Sequence, residues 1–182
     1  MNNNATDRKT QELVLTGLMA CAVFVATCFI KVPVLNGYVH PGDALIYISA
    51  IMLGKKYGAA AGGIGGALAD IMGGYAVWAP WTFVIKALMG FTAGLIIEKF
   101  AARKKETGNR FVITAADVIA MVAGSVINCG GYFLGNSVMY GGIAAGIAAM
   151  PGDIIQDAMG IGFGLVLEVA LVKTPLGRKS LA

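Results

Sequence analysis

In PWTFVIKALMGFTAG, residues 80–94, a single lysine, Lys86, stands in an otherwise apolar run. A charge at such a position costs roughly 3 kcal/mol or more in a membrane, so an ammonium there requires a carboxylate or a ligand to hold. Few other polar side chains interrupt the apolar runs. Asp70 and Lys86 flank the connection at residues 73–81 at similar depth and are spaced to pair. Asn128, Tyr132 and Asn136 recur at i, i+4 and i+8, which places them on one helical stripe. Asp153, Gln156 and Asp157 recur at i, i+3 and i+4, again on one face. Lysine, amides, phenol and carboxylates at one depth suit recognition of a small hydroxylated nitrogen heterocycle, with aromatic rings to stack on it. Metal chemistry is not indicated, because His40 is the only histidine and the cysteines Cys21, Cys28 and Cys129 have no ligand spacing. Paired carboxylates can share a proton, so an intramembrane enzyme using Asp70 with Asp153 or Asp157 is the catalytic alternative. A membrane assembly factor is a second alternative, but it would leave the polar cluster without a purpose.

The elements that position these groups are hydrophobic. Of 182 residues, 57% are apolar and 13% charged, and the mean hydropathy is +0.74. A water-soluble domain of this size carries more charge than that. The composition predicts an all-α integral membrane protein, a compact bundle of six transmembrane helices at about 13–31, 42–56, 58–74, 82–100, 111–134 and 143–172. The motif MPGD at 150–153 predicts a break in the last of these, since proline disfavours helical geometry in the residue before it. Domain organisation follows: a tail at 1–12, a six-helix domain at 13–173 and a tail at 174–182. The first apolar run is too long, and lacks a clear cleavage site, to be read as a removed signal peptide.

Charge placement gives the orientation. The formal net charge is +4, yet twelve of the fourteen Lys and Arg residues fall in short clusters between apolar runs. Arg8 and Lys9, Lys55 and Lys56, the cluster from Lys99 to Arg110, and Lys173 to Lys179 all lie on one side if the chain crosses six times. That pattern encodes topology and not nucleic-acid binding, and it predicts a cell membrane protein with both termini in the cytoplasm. Glu98, Asp117 and Glu168 lie near the same side, where solvated or helix-capping roles are expected. The opposite, outer connections are rich in Gly, Pro and aromatics: KVPVLNGYVHPGD, GGYAVWAPW and NSVMYGG. Tyr75, Trp78, Trp81 and Tyr140 there, beside polar side chains, suggest a lined outer cavity.

Gly58, Gly62 and Gly66 repeat at spacing four in GAAAGGIGGALADIMGG, which lets helix backbones approach closely in lipid. The rival reading, a nucleotide-binding loop, fails for want of the lysine and hydroxyl of a P-loop and of a preceding strand.

Residues 37–91 carry the most specific signal. GYVHPGDALIYISAIMLGKKYGAAAGGIGGALADIMGGY followed by YAVWAPWTFVIKALMGF resembles the substrate-binding S components of energy-coupling factor (ECF) vitamin transporters, in the branch of riboflavin, pyridoxine and hydroxymethylpyrimidine carriers. The likeness covers nearly everything after residue 12. It implies a prokaryotic transport subunit that is not an enzyme and needs no cofactor. Such a subunit captures a vitamin or precursor, pyridoxine or hydroxymethylpyrimidine ahead of riboflavin, at the outer face. It implies partners too: a transmembrane coupling subunit and two ATPase subunits within the lipid membrane. AVFVA, with Ala22 and Ala26, matches the family's docking signature. The family's pocket falls on Lys86, Asn128, Tyr132, Asp153, Gln156 and Asp157, with Asn36, Tyr38 and His40 in a gating loop. Lys86 is expected to pair with Asp70 or with a carboxylate of the sixth span, and to face the ligand.

Overall fold

The computed structural model describes residues 3–34, 37–100, 106 and 108–175. Six helices and one small hairpin follow in order: α1 (Asn3–Phe29), β1 (Val32–Val34), β2 (Gly37–Val39), α2 (Gly42–Leu53), α3 (Lys55–Met72), α4 (Ala79–Lys99), α5 (Ala115–Met139) and α6 (Ile143–Val172). The strands pair antiparallel, with Val32 opposite Val39. The hairpin was not anticipated from the sequence; it is short and packs its second strand against α6.

Among the described residues six helices are present, as the bundle requires. Four of them are long and apolar enough to cross a membrane by length and composition alone: α1 from Asp7, α4, α5 and α6. Helix α2 has only 12 residues, a rise of about 18 Å against a hydrocarbon core of about 30 Å. It forms the buried centre of the bundle. Ala44, Ile46, Tyr47, Ile48, Ser49, Ala50 and Ile51 are all buried, so α2 is enclosed on every side, as an all-round apolar helix requires. Helices α1, α3, α4 and α6 surround it. The Tyr47 hydroxyl donates to the Met121 carbonyl at 2.8 Å and lies 3.0 Å from Ser125 Oγ, which ties α2 to α5.

The outer faces of the long helices are apolar and uncovered: Leu13, Leu18 and Val14 on α1, Val126 and Leu134 on α5, and Val166 and Val169 on α6 are exposed. Such faces match lipid and not water. The turn between α2 and α3 is Gly54 alone, at φ +85, a left-handed conformation that favours glycine. The glycine repeats act as expected. At Gly90 an added Cβ would lie 2.5 Å from the Gly58 carbonyl oxygen, so α3 and α4 touch backbone to backbone.

Two further expectations change. Helix α6 runs unbroken through Pro151, so the break at MPGD does not occur. Proline forfeits one hydrogen bond, to the Ile147 carbonyl, but a long helix held by its neighbours tolerates that loss. Helix α1 begins at Asn3, so the described part of the N-terminal tail continues the first helix. At the basic end, Asp117 caps α5 through the Thr114 backbone and hydroxyl at 2.8 and 2.7 Å. Glu98 meets Lys55 Nζ at 2.6 Å. Glu168, by contrast, is fully buried and not solvated.

Candidate functional site

Helix α4 carries Lys86 inward, one turn beyond Thr82, and the ammonium is 4% exposed. Its partner is Asp43 in the first turn of α2, at 2.5 Å. The expected pairing with Asp70 or a carboxylate of α6 is therefore corrected. Pro41 and Gly42 bring the chain from the hairpin into a short central helix, and this drops Asp43 to the level of Lys86. A second hydrogen bond runs from Lys86 Nζ to Asn128 Oδ1 of α5 at 2.8 Å. Asn128 Nδ2 in turn donates to Asp157 Oδ1 at 3.0 Å, so Asp157 reaches the lysine only through the amide.

Gln156 completes the network. Its Nε2 donates to Asp43 Oδ2 at 2.8 Å and to the His40 carbonyl at 3.0 Å, while its Oε1 accepts the His40 backbone N–H at 2.9 Å. One chain of polar contacts thus joins α2, α4, α5, α6 and the His40 backbone. Burying an ion pair is tolerable when neighbouring groups also bond its remaining atoms; here Asn128 accepts from Lys86 and Gln156 donates to Asp43. Desolvation pushes the half-buried His40 imidazole down to about 4, so it is neutral at physiological pH.

Beside this network lies a cavity of about 450 Å³, within the range of small-molecule sites. Of the expected residues, His40, Lys86, Asn128, Tyr132, Asp153 and Gln156 line it, together with Trp78 and Asp70. Trp78 and Tyr132 form an aromatic wall, with ring centroids 5.9 Å apart. Trp78 Nε1 donates to the Tyr140 hydroxyl at 2.9 Å, which fixes the indole at the mouth. The Lys86 ammonium lies 5.5 Å from the Tyr132 ring centroid, and the Tyr132 and Thr82 hydroxyls are 3.1 Å apart. Pro151 and Gly152 of α6 also face the cavity, where a proline's freed carbonyl is best tolerated.

Other expected residues lie elsewhere. Trp81 is half-buried beside Gly135 and does not line the cavity. Asn136 donates its amide to the Tyr132 carbonyl at 2.8 Å, within its own helix. Asn36 lies outside the described residues, as does the side chain of Tyr38. On α1, Ala22 is half-buried, while Ala26 is 5% exposed and packed inside the protein. The residues that sequence reasoning missed are Asp43 and Thr82. Asp43 had a signal, a lone carboxylate opening an apolar run, where a helix N-terminus favours negative charge. Among the described residues no group of His, Cys, Asp and Glu is arranged to hold a metal.

A polar, aromatic-walled cavity at one end of a membrane bundle agrees with the comparisons to known proteins. A solved structure, the S component for biotin from an ECF-type ABC transporter, matches with a TM-score of 0.66, covering 100% of both chains at 17% identity. That likeness is one of fold. An uncharacterized protein of the gap 3′ region of Pyrococcus woesei is 35% identical over 153 residues, 81% of this chain and 95% of that protein. The family described as the ECF-type riboflavin transporter, S component, matches residues 7–173. S components of this kind are vitamin-binding transport subunits and not enzymes, so the carboxylate-pair alternative falls away. This chain, whose match spans every helix of the bundle, belongs to the ECF-type riboflavin transporter S-component family.

Proposed function

We propose that this S component captures a small heteroaromatic vitamin or precursor in the cavity bounded by Trp78, Tyr132, Asn128, Lys86 and Gln156. The observation that carries this reading is the cavity itself: about 450 Å³ of space against a buried polar network, walled by two aromatic rings. Stacking supplies contact area and the amides supply orientation. Pyridoxine or hydroxymethylpyrimidine suits the mix of small polar groups best, with riboflavin next. Lys86, Asp43, Asn128 and Gln156 act as a rigid floor, and Asp157 steadies Asn128 from behind. Asp153 and Asp70 project from opposite parts of the chain into the same space. The loop containing Asn36, Tyr38 and His40 serves as the gate.

The cavity opens outward and both termini are cytoplasmic, as the basic clusters favour. Transport is completed by a transmembrane coupling subunit and two ATPase subunits in a prokaryotic cell membrane. Because Ala26 is buried, a docking role on α1 falls to Ala22 and the exposed face beside it. The test is uptake of labelled pyridoxine, hydroxymethylpyrimidine and riboflavin by cells carrying the chain with and without the coupling and ATPase subunits. Accumulation of one vitamin only when all are present supports the reading. Ala22→Trp should then abolish uptake while purified protein still binds that vitamin. Uptake that is independent of the ATPases would overturn the assignment of partners.

A further inference from the structure

The cavity is short of positive charge. Among the described residues, three carboxylates line it, Asp43, Asp70 and Asp153, against one ammonium, Lys86. Lys86 is already committed: two of its donors go to Asp43 and Asn128, and the ammonium faces the Tyr132 ring. The neighbouring amides are committed as well. Asn128 gives a donor to Asp157, and Gln156 gives its donors to Asp43 and the His40 carbonyl. What remains is acceptors. Asp70 Oδ2 on α3 and Asp153 Oδ2 on α6 are both buried atoms with no hydrogen-bond partner. The only other cation within electrostatic reach of Asp70 among the described residues is Lys31, which is exposed at the rim and screened by water. The same cavity is also lined by Trp78, Tyr132 and Tyr75, and the quadrupole of an aromatic face attracts cations as well.

Resting on the vitamin-capture reading above, we infer that the ligand of this cavity is a cationic heteroaromatic, one bearing an exocyclic ammonium that meets Asp70 and Asp153. A neutral ring offers these oxygens only uncharged hydroxyl or amino donors, weaker partners than an ammonium, and an anionic one would add repulsion. A cation places its charge between the carboxylates and its ring against Trp78 and Tyr132. Lys86 then has a different task from ligand contact: it neutralises Asp43 and keeps the floor from adding a further uncompensated charge.

Pyridoxamine and pyridoxine form a matched pair for the test, because they share a ring and differ by an ammonium in place of a hydroxyl. Binding of each to the purified full-length protein is measured by calorimetry, with riboflavin as a neutral and biotin as an anionic comparison. Pyridoxamine is expected to bind about 10- to 100-fold tighter than pyridoxine, the ratio that one charged hydrogen bond supports. In Asp70→Asn and Asp153→Asn variants that ratio should shrink toward one. Equal affinity for the pair, or a ratio unmoved in both variants, would overturn the inference while leaving vitamin capture intact. If neither of the pair binds, compounds released from the purified protein decide: a cation at neutral pH supports the inference, and a neutral or anionic vitamin overturns it. No binding by any probe and no released compound would overturn vitamin capture itself, and this inference with it.

Discussion

Replacing Lys86 by Met removes the ammonium and keeps most of the apolar stem. Asp43, 1% exposed, would then hold a carboxylate with only the Gln156 amide at 2.8 Å as a donor. Breaking a buried ion pair from one side costs about 3–5 kcal/mol. For a chain of this length that is a fall of about 6–20 °C in unfolding temperature. Asp43→Asn alone keeps the side-chain volume, which matters because Gly160 packs against the Asp43 Cβ, but it strands the Lys86 charge at similar cost. The double variant Lys86→Met with Asp43→Asn removes both charges of the pair and leaves an Asn128 carbonyl without its donor, worth about 1–3 kcal/mol. It should therefore be more stable than either single variant. Unfolding of the detergent-solubilised, ligand-free protein provides the readout for this double-mutant cycle. A coupling energy of about 2 kcal/mol or more is expected. Coupling below about 0.5 kcal/mol, or a Lys86→Met protein as stable as the parent, would refute the claim that this pair holds α2 against α4.

At Gly90, substitution by Ala drives a Cβ toward the Gly58 carbonyl, backbone that cannot yield, and should cost about 1–3 kcal/mol. Gly130→Ala, with nothing within 4 Å of the new Cβ, should be neutral or slightly stabilising in the same unfolding assay. The His40 imidazole, held at about 4 in the fold against 6.5 when free, makes stability pH-dependent. The unfolded chain binds the extra proton, so this contribution is intact above pH 6.5, falls as pH drops toward 4, and totals less than about 3 kcal/mol. His40→Gln should flatten that part of the profile, and an unchanged profile would count against the desolvated imidazole. For topology, single cysteines at Tyr140 and Lys56, both exposed, are placed in a chain whose own three cysteines have been replaced. An impermeant thiol reagent applied outside intact cells should label position 140 and not 56; the reverse would invert the orientation.

Much of the site was legible because a polar side chain in an apolar run is rare and its depth can be counted from the nearest connection. Lys86, Asn128 and Gln156 stood out in this way, and all three meet in one network. Asp43 did not stand out, since next to His40, Pro41 and Gly42 it resembles an ordinary loop or first-turn residue. Its role depends on the height at which α2 starts relative to α4, and that register is set by packing between distant segments. The same limit explains the mistaken partner for Lys86: Asp70 is near in sequence depth, yet α3 turns it toward a different part of the cavity. Apolar character located all six helices among the described residues but did not reveal which of them is enclosed. Residues 42–53 are as hydrophobic as the longer runs, yet they form a 12-residue helix buried at the centre of the bundle. Pro151 was read by its local preference, which a 30-residue helix overrides. Ala26 illustrates the converse, since small residues on a helix serve internal packing and external docking equally well, and only the neighbours decide.

The central claim is that the cavity beside Lys86 and Asp43 captures one small heteroaromatic molecule. Mass spectrometry of compounds released from the detergent-purified protein, compared with its Trp78→Ala variant, tests it most directly. The account predicts a single vitamin-sized heterocycle near one per chain from the parent, and its loss from the variant, whose aromatic wall has lost the indole while the buried floor remains. A parent protein that releases no such compound and binds none of the vitamin panel, or a variant that retains the compound in full, would contradict it.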